Sequence, residues 1–180
     1  MKQFVSVFIW LFVVYTGPVR ASQSQDYAIV PGHKIGKIVL HLNRQSVHKL
    51  LGKPVGTYLL PQHYVGEYWQ ANSGKTVRVF YQANQVIQVA VTSPAFATAE
   101  GLTVKSNLAD VQKYYKKLRK LSYFVHGSGG GLIDYYDDMQ RGIAFAFTSP
   151  DREPVNFMLY AIIVHRARQQ VIAEPDEQPR

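Results

Sequence analysis

The sequence contains no cysteine in its 180 residues. The chain therefore forms no disulfide, carries no thiol nucleophile and offers no thiolate to a metal ion. A lipid anchor of the bacterial lipoprotein type is not expected either, because such an anchor needs a cysteine after the first apolar run. Stability must come from burial of a core alone.

A long hydrophobic run is also lacking. The longest apolar stretch, Phe4–Tyr15, is interrupted once and has 12 residues, whereas a membrane-spanning helix needs roughly 20. The positively charged Lys2 precedes this stretch, and Gly17-Pro18 breaks any helix after it. We therefore predict a cleavable secretory signal over residues 1–21, a new N-terminus at Ser22, and a secreted or periplasmic protein. The alternative is an uncleaved membrane anchor flanked by Arg20.

The motifs of common catalytic and metal sites are absent. The six histidines are scattered and none forms a helical pair, no Gly-x-Ser-x-Gly occurs, and no carboxylate pair indicates acid–base chemistry. The glycine-rich stretch 127–131 follows a predicted helix instead of preceding one, so it indicates a flexible connection better than a phosphate-binding loop. Asp134, Asp137 and Asp138 are interpreted as solvated turn residues. The sequence predicts no enzyme, no metal and no cofactor.

Acidic residues are scarce, with 12 Asp and Glu against 20 Lys and Arg and a net charge of +8. Such an excess suits an anionic partner without identifying one. Aromatic residues, in contrast, are plentiful at 13%, with 12 tyrosines. Aromatic side chains on a surface are a common binding device.

The order of predicted elements occurs twice along the chain. Asn43 precedes one amphipathic helix that Gly52 ends, and Asn107 precedes another. Antiparallel strands follow each helix, the first of them Tyr64–Gln70, and tight hairpin turns are predicted at residues 71–74 and at Ala83-Asn84. Equivalent positions lie 64 to 67 residues apart, which favours an internal duplication over a coincidence of pattern. The predicted organisation is a signal at 1–21, a polar leader at 22–28, repeats at 29–96 and 97–168, and a disordered tail at 169–180.

The strand patterns indicate how these elements pack. In Ile143–Phe147 large and small residues alternate, whereas Met158–Val164 is apolar on both faces. The most economical fold is α+β: one curved antiparallel sheet with two helices packed on one face and the other face open.

Two segments resemble a known group of exported bacterial domains. Residues 36–54 contain a glycine, a short strand, a helix cap and an amphipathic helix ending Leu-Gly-x-Pro, and Tyr135-Tyr136 precede the segment 141–145 (Arg-Gly-Ile-Ala-Phe). These features resemble the lipoprotein subunit of the outer-membrane β-barrel assembly machine and the tandem-repeat fold of the secreted β-lactamase inhibitor protein, over about residues 29–165. The resemblance implies a non-enzymatic, protein-binding module. The anchoring cysteine of the first and the disulfides of the second are absent here.

Aromatic residues on the predicted strands are the first candidate binding site. If the sheet has an open face, its aromatic side chains would form a contact platform of the kind found at binding hot spots. Alternation places Trp69 and Tyr68 on opposite faces, and the sequence does not decide which of them is open. Trp69 is the leading candidate, and the alternative is that these side chains are core. The predicted partner-binding residues are Trp69, Tyr68, Tyr81, Tyr135 and Tyr136.

A lysine-rich segment is the second candidate. The predicted second helix extends past residue 115, and four lysines then share one of its faces at i, i+3, i+4 and i+7 spacing, namely Lys113, Lys116, Lys117 and Lys120. Such a face can dock on an anionic lipid surface, an acidic polysaccharide or an acidic protein. It can equally be an ordinary solvated helix face.

Three functional hypotheses follow. The leading one is an exported module that binds a protein or another envelope macromolecule through an aromatic sheet face. The second is an envelope-surface protein held on anionic lipid or polysaccharide by the basic helix, and an enzyme of unfamiliar type is the third. No nucleic-acid partner is expected, and the oligomeric state is left open.

Overall fold

The computed structural model describes residues 25–70, 76–125, 131–149, 158–173 and 177–179. Within these ranges the chain is an α+β protein with two helices and two sheets, neither of which closes on itself. The predicted α+β class is confirmed, but there are two sheets where the sequence predicted one. The predicted signal, the turn at residues 71–74 and most of the glycine-rich stretch lie outside the described residues.

The small sheet contains four short strands: β1 (Ala28–Val30), β2 (Lys34–Ile35), β3 (Ile38–Val39) and β8 (Ala97–Thr98). Its order is β3-β2-β1-β8, and β1 pairs with β8 in parallel. This pairing joins the start of the described chain to the segment that precedes the second helix.

The two helices begin at the predicted caps. Helix α1 (Arg44–Leu51) starts after Asn43, whose side chain accepts a hydrogen bond from the Ser46 amide, and it ends at Gly52 in the left-handed region (φ 79°). Helix α2 (Leu108–Tyr114) starts after Asn107, which forms a reciprocal capping box with Asp110. These side chains satisfy amides that the first turn of a helix leaves unpaired.

The large sheet has nine described strands in the order β13-β9-β10-β11-β12-β7-β6-β5-β4. After α1 come β4 (Gly56–Leu60), β5 (Tyr64–Gln70), β6 (Thr76–Gln82) and β7 (Gln85–Val91). After α2 come β9 (Arg119–Val125), β10 (Leu132–Asp138), β11 (Ile143–Ser149) and β12 (Met158–His165), and the last strand is β13 (Glu177–Pro179). Each helix is thus followed by four strands, and the two sets meet where β7 pairs antiparallel with β12.

Both helices contribute to the main core on one face of the large sheet. Val47 from α1 and Val111 from α2 are fully buried in the same cluster as Tyr115, Phe145 and other alternate strand residues. The rings of Tyr115 and Phe145 meet edge to face with centroids 4.9 Å apart.

The opposite face of the sheet is not open over its centre. Small residues of β11 and β12 form a second buried cluster with Tyr135, and Val171 of the C-terminal segment belongs to it. Gln88 forms two hydrogen bonds with the backbone of the next residue, Ile172. The amide of Ile172 donates to Gln88 Oε1 (2.8 Å), and Gln88 Nε2 donates to the Ile172 carbonyl (2.9 Å). The predictions of a bare sheet face and a disordered tail therefore do not hold at residues 171 and 172.

The second helix is shorter than predicted. It ends at Tyr114, because Tyr115 adopts extended backbone (φ −114°, ψ 101°) that turns its ring into the core. From Arg119 onward the chain pairs with β10 as strand β9. Tertiary pairing has overridden a helical spacing of lysines, and the predicted helix extension is wrong.

Candidate functional site

An open cleft of about 630 Å³ lies between α1 and the strands β4 and β5. Its walls are Arg44 and His48 from the helix, the connection 52–55, and Thr57 from β4. Gly52 ends α1 at positive φ (79°), and the connection that runs from it to β4 lines one side of the cleft.

The floor of the cleft is the carboxylate of Glu67, whose side chain is 0% exposed. Arg44 donates to Glu67 Oε1 from Nε (2.9 Å) and from Nη2 (2.6 Å), and His48 Nε2 lies 2.8 Å from Oε2. Arg44 and His48 are four residues apart, so they share one side of α1 and reach the same carboxylate. Both are only partly buried, at 36% exposure, and present their remaining surface to the cleft.

These contacts determine the ionisation of the cluster. Burial by itself would raise the pKa of Glu67, but contacts with Arg44, His48 and Tyr81 lower its pKa below the ordinary value. Burial, followed by the charge of Glu67, raises the pKa of Tyr81. Glu67 is therefore an ion held by Arg44 and His48 at the base of the cleft, and Tyr81 beside it stays neutral.

A groove with largely apolar walls continues from the cleft past the end of α1. Two adjoining cavities of about 430 and 190 Å³ share Leu51, Val77 and Phe96, and the larger one also borders Lys53, Val55 and Trp69. The Trp69 indole donates to the Gly52 carbonyl (3.1 Å), which fixes the ring between groove and cleft. The polar cleft and the apolar groove therefore form one continuous surface.

The neighbouring strand β4 exposes apolar side chains to solvent. Val55, just before it, is 61% exposed, and Leu59 within it is 79% exposed. Val55, Thr57 and Leu59 alternate along the chain and therefore point to the same side, the side that faces the cleft. Exposed apolar groups beside a cleft are typical of interaction sites.

The predicted aromatic platform is not found. Trp69, the leading candidate, is 9% exposed and lies in the helix-side core, as does Tyr81, while Tyr135 is buried on the opposite face. Tyr136 packs against Phe147 with ring centroids 5.5 Å apart. The prediction of one shared contact surface is wrong for Trp69, Tyr81 and Tyr135, because these side chains are buried and lie on two different faces of the sheet. Tyr68 is half-buried, and its ring lies over Gly56 on β4.

The four predicted lysines do not share a helix face. Lys113 is in the last turn of α2, and Lys116 and Lys117 follow the helix as exposed residues. Lys120 is in β9, where its Nζ lies 2.7 Å from Asp134 Oδ2. The exposed lysines form a loose cluster at the end of α2, and the prediction of a four-lysine face was wrong.

Sequence reasoning missed Glu67, Arg44 and His48. The alternation in β5 does place a glutamate on the same face as Trp69, and a charged residue beside a core tryptophan is a signal for a buried ion pair. Its partners are 19 and 23 residues away, so no local motif connects them. The three aspartates of β10 were also misplaced, since all are buried.

Two further findings bear on the kind of site. In the parts of the chain that the structure describes, no group of three or more His, Asp or Glu residues is placed to hold a metal ion. Neither of the two described helices has the length and apolar character needed to span a bilayer.

The stability contributed by Glu67 is expected to disappear in acid. Because its folded-state pKa lies below the ordinary value of 4.5, this contribution is present above about pH 4.5 and is lost as the pH falls through the lowered pKa. Glu67→Gln should lower the free energy of unfolding by about 1–3 kcal/mol at neutral pH, with a shallower loss on acidification than in the unmodified protein. Urea denaturation at a series of pH values measures both. Parallel pH profiles for the two proteins would contradict this assignment.

Comparison with known proteins does not assign the chain to a family. No protein-family model matches it, and no curated protein matches it. One similar solved structure is the crystal structure of an extracellular protein containing a SCP domain from Bacillus anthracis str. Ames, with a TM-score of 0.47 and 10% sequence identity. The match covers 72% of this chain and 44% of the other, so this chain spans less than half of that structure.

Proposed function

We propose that this chain is an exported, non-enzymatic binding module that holds a partner protein in the cleft between α1 and β4. The observation that carries the proposal is the continuity of three features: exposed apolar residues on β4 and just before it, a groove with largely apolar walls, and an open cleft with cationic side chains in its walls. Apolar anchors beside charged groups are the usual composition of a protein–protein contact.

The cleft replaces the aromatic sheet face as the contact surface. A platform needs exposed rings, and Trp69, Tyr81 and Tyr135 are buried. Their role in this proposal is to hold the sheet and the end of α1 in place. Trp69 does so directly through its bond to the Gly52 carbonyl.

Export and duplication are part of the same proposal. The apolar run Phe4–Tyr15 supports removal of residues 1–21 and a secreted or periplasmic location. The repeated order of one capped helix and four strands supports two copies of one ancestral unit. The resemblance of residues 29–165 to exported repeat domains that bind proteins points the same way.

Retention of envelope proteins on immobilised protein tests the proposal. We expect one protein to be retained by the unmodified chain and lost with Lys53→Glu or Val55→Asp, since both residues line the cleft and the groove. Met158→Asp is the matched control, because Met158 is equally exposed at 61% and lies in β12. Mass spectrometry identifies the retained proteins. If the unmodified chain and all three variants retain the same set, the proposal is refuted.

The lysines at the end of α2 support a second candidate function, attachment to a polyanion. Lys113, Lys116 and Lys117 are exposed and close in sequence. Retention through them should fall steeply with added salt, whereas an apolar contact at β4 should change little. Loss of retention with Lys116→Glu/Lys117→Glu, but not with Val55→Asp, would favour this candidate.

A further inference from the structure

In the part of the chain that the structure describes, no strand pairs with the outer edge of β4. Among the described residues β4 pairs with β5 on its inner side alone, whereas the opposite edge of the sheet is covered by β13 of the same chain. Natural edge strands are usually protected by charges, bulges or a covering segment. β4 has the sequence Gly-Thr-Tyr-Leu-Leu, with no charge, and prolines at positions 54 and 61 limit it to five residues.

An added strand would place alternate side chains beside Val55, Thr57 and Leu59. Neighbouring strands lie about 4.8 Å apart, and side chains opposite one another are in contact. The residue opposite Thr57 would face the mouth of the cleft, and the residues two positions before and after it would meet Val55 and Leu59. The segment that fits this edge therefore has five residues: the central one lies opposite Thr57, the first and the last are apolar, and the second and fourth can be of any type.

The charged side chains around Thr57 determine which residue type is favoured at the centre of the added strand. Thr57 pairs with Glu67 in the sheet, and among the described residues that line the cleft the one acidic group is this buried carboxylate, whose charge Arg44 already balances. Arg44 uses Nε and Nη2 on Glu67, and Lys53 borders both cleft and groove. The accessible charge is positive, so a carboxylate at the central position would be favoured and a cation disfavoured.

We infer that β4 binds an extended segment of the partner protein as an added strand, with an aspartate or glutamate side chain facing Arg44 and Lys53 and apolar residues on either side. This inference rests on the proposed function and specifies its partner. A second copy of the chain fits less well, because β4 itself has no carboxylate and the chains repel one another: the net charge of +8 falls only to +6 when Lys2 and Arg20 leave with residues 1–21.

A synthetic peptide provides the direct test. The probe is an end-blocked Thr-Val-Thr-Glu-Thr-Val-Thr peptide, with a lysine for glutamate version as its charge control. The protein used begins at Ser22, so Trp69 is its single tryptophan, because Trp10 lies in the signal proposed to be removed. Since Trp69 contacts His48 and Gly52 at the wall of the cleft, its fluorescence reports occupancy, and hydrogen exchange of the β4 amides reports strand pairing.

We expect the glutamate peptide to change the Trp69 emission and to slow exchange at residues 57–59, and the lysine peptide to bind at least tenfold more weakly. Leu59→Asp and Lys53→Glu should each weaken the glutamate peptide at least tenfold, and Met158→Asp should leave its affinity unchanged. Equal affinity for both peptides, unprotected β4 amides, or self-association of the chain through β4 would overturn the inference.

The results separate this inference from the proposed function. If an envelope protein is retained through Val55 but the peptide leaves the β4 amides unprotected, strand addition is wrong and the binding module stands. If the peptide binds as expected and no envelope protein is retained, the proposed function is wrong, but the inference that β4 binds an extended acidic segment stands.

Discussion

Replacing Trp69 by alanine is expected to lower the free energy of unfolding by about 3–5 kcal/mol. The indole is buried in the helix-side core, and its Nε1–H group donates to the carbonyl of Gly52. The substitution leaves a cavity beneath the end of α1 and removes the hydrogen bond that fixes this end to β5. Urea denaturation followed by circular dichroism measures the change, because the indole fluorescence is itself lost.

Tyr68→Ala is the matched control for this prediction. Tyr68 is the neighbouring residue on the opposite face, half-buried with its ring over Gly56. Its loss should cost about 1 kcal/mol, within the ordinary range for partly exposed sites. Equal destabilisation by the two substitutions, or a larger effect for Tyr68, would show that the faces of β5 are assigned the wrong way round.

Replacing Asp137 by alanine is expected to cost a comparable 3–5 kcal/mol, because it breaks a fully buried polar cluster. Asp137 Oδ1 lies 2.9 Å from His165 Nε2, and its Oδ2 accepts a hydrogen bond from the Val171 amide (3.1 Å). Nδ1 of the same histidine faces the Arg166 carbonyl at 3.0 Å. Without Asp137, the buried His165 Nε2 and the Val171 amide both lose their hydrogen-bond partner.

The same substitution should also release the C-terminal segment from the sheet. Hydrogen exchange at Val171 and Ile172 should accelerate in Asp137→Ala before global unfolding, since Asp137 and Gln88 provide their hydrogen bonds. Asp26→Ala is the control: Asp26 forms an exposed ion pair with Lys37, which is worth about 0–1 kcal/mol. Unchanged exchange at residues 171 and 172 would show that this cluster does not hold the segment.

Local signals in the sequence predicted much of the secondary structure. Asn43 and Asn107 begin both helices, and β5 has the predicted limits Tyr64–Gln70. The predicted turn Ala83-Asn84 has positive φ at both residues (48° and 65°), as a tight hairpin requires. These features depend on a few neighbouring residues, so the sequence alone reveals them.

Features that depend on distant contacts were missed or misassigned. The lysine spacing after α2 satisfies a helix, yet the segment 119–125 becomes β9 because β10 offers it a pairing partner. β4 is short and lies between two prolines, so it resembles a loop until β5 pairs with it. The tail has too few apolar residues to fold alone, but Val171 is buried against strands that come from earlier parts of the chain.

The candidate site illustrates the same limit. Period-two alternation divides β5 into two faces without saying which of them the helices cover. Glu67 is recognisable as part of a site only after α1 brings Arg44 and His48 to it. The sequence predicted that Gly52 ends α1, but it did not predict that the connection after Gly52 lines a cleft over Glu67.

The pairing of β7 with β12 has a consequence for the route by which the chain folds. Most neighbours within each four-strand set are joined by short connections, which close rapidly. At the centre of the large sheet, however, Val91 meets Ile162 from 71 positions later, and in the small sheet Ala28 meets Ala97. Contacts between such distant positions form slowly. We therefore expect each four-strand set to form early. The pairing of β7 with β12 should form late and limit the overall folding rate.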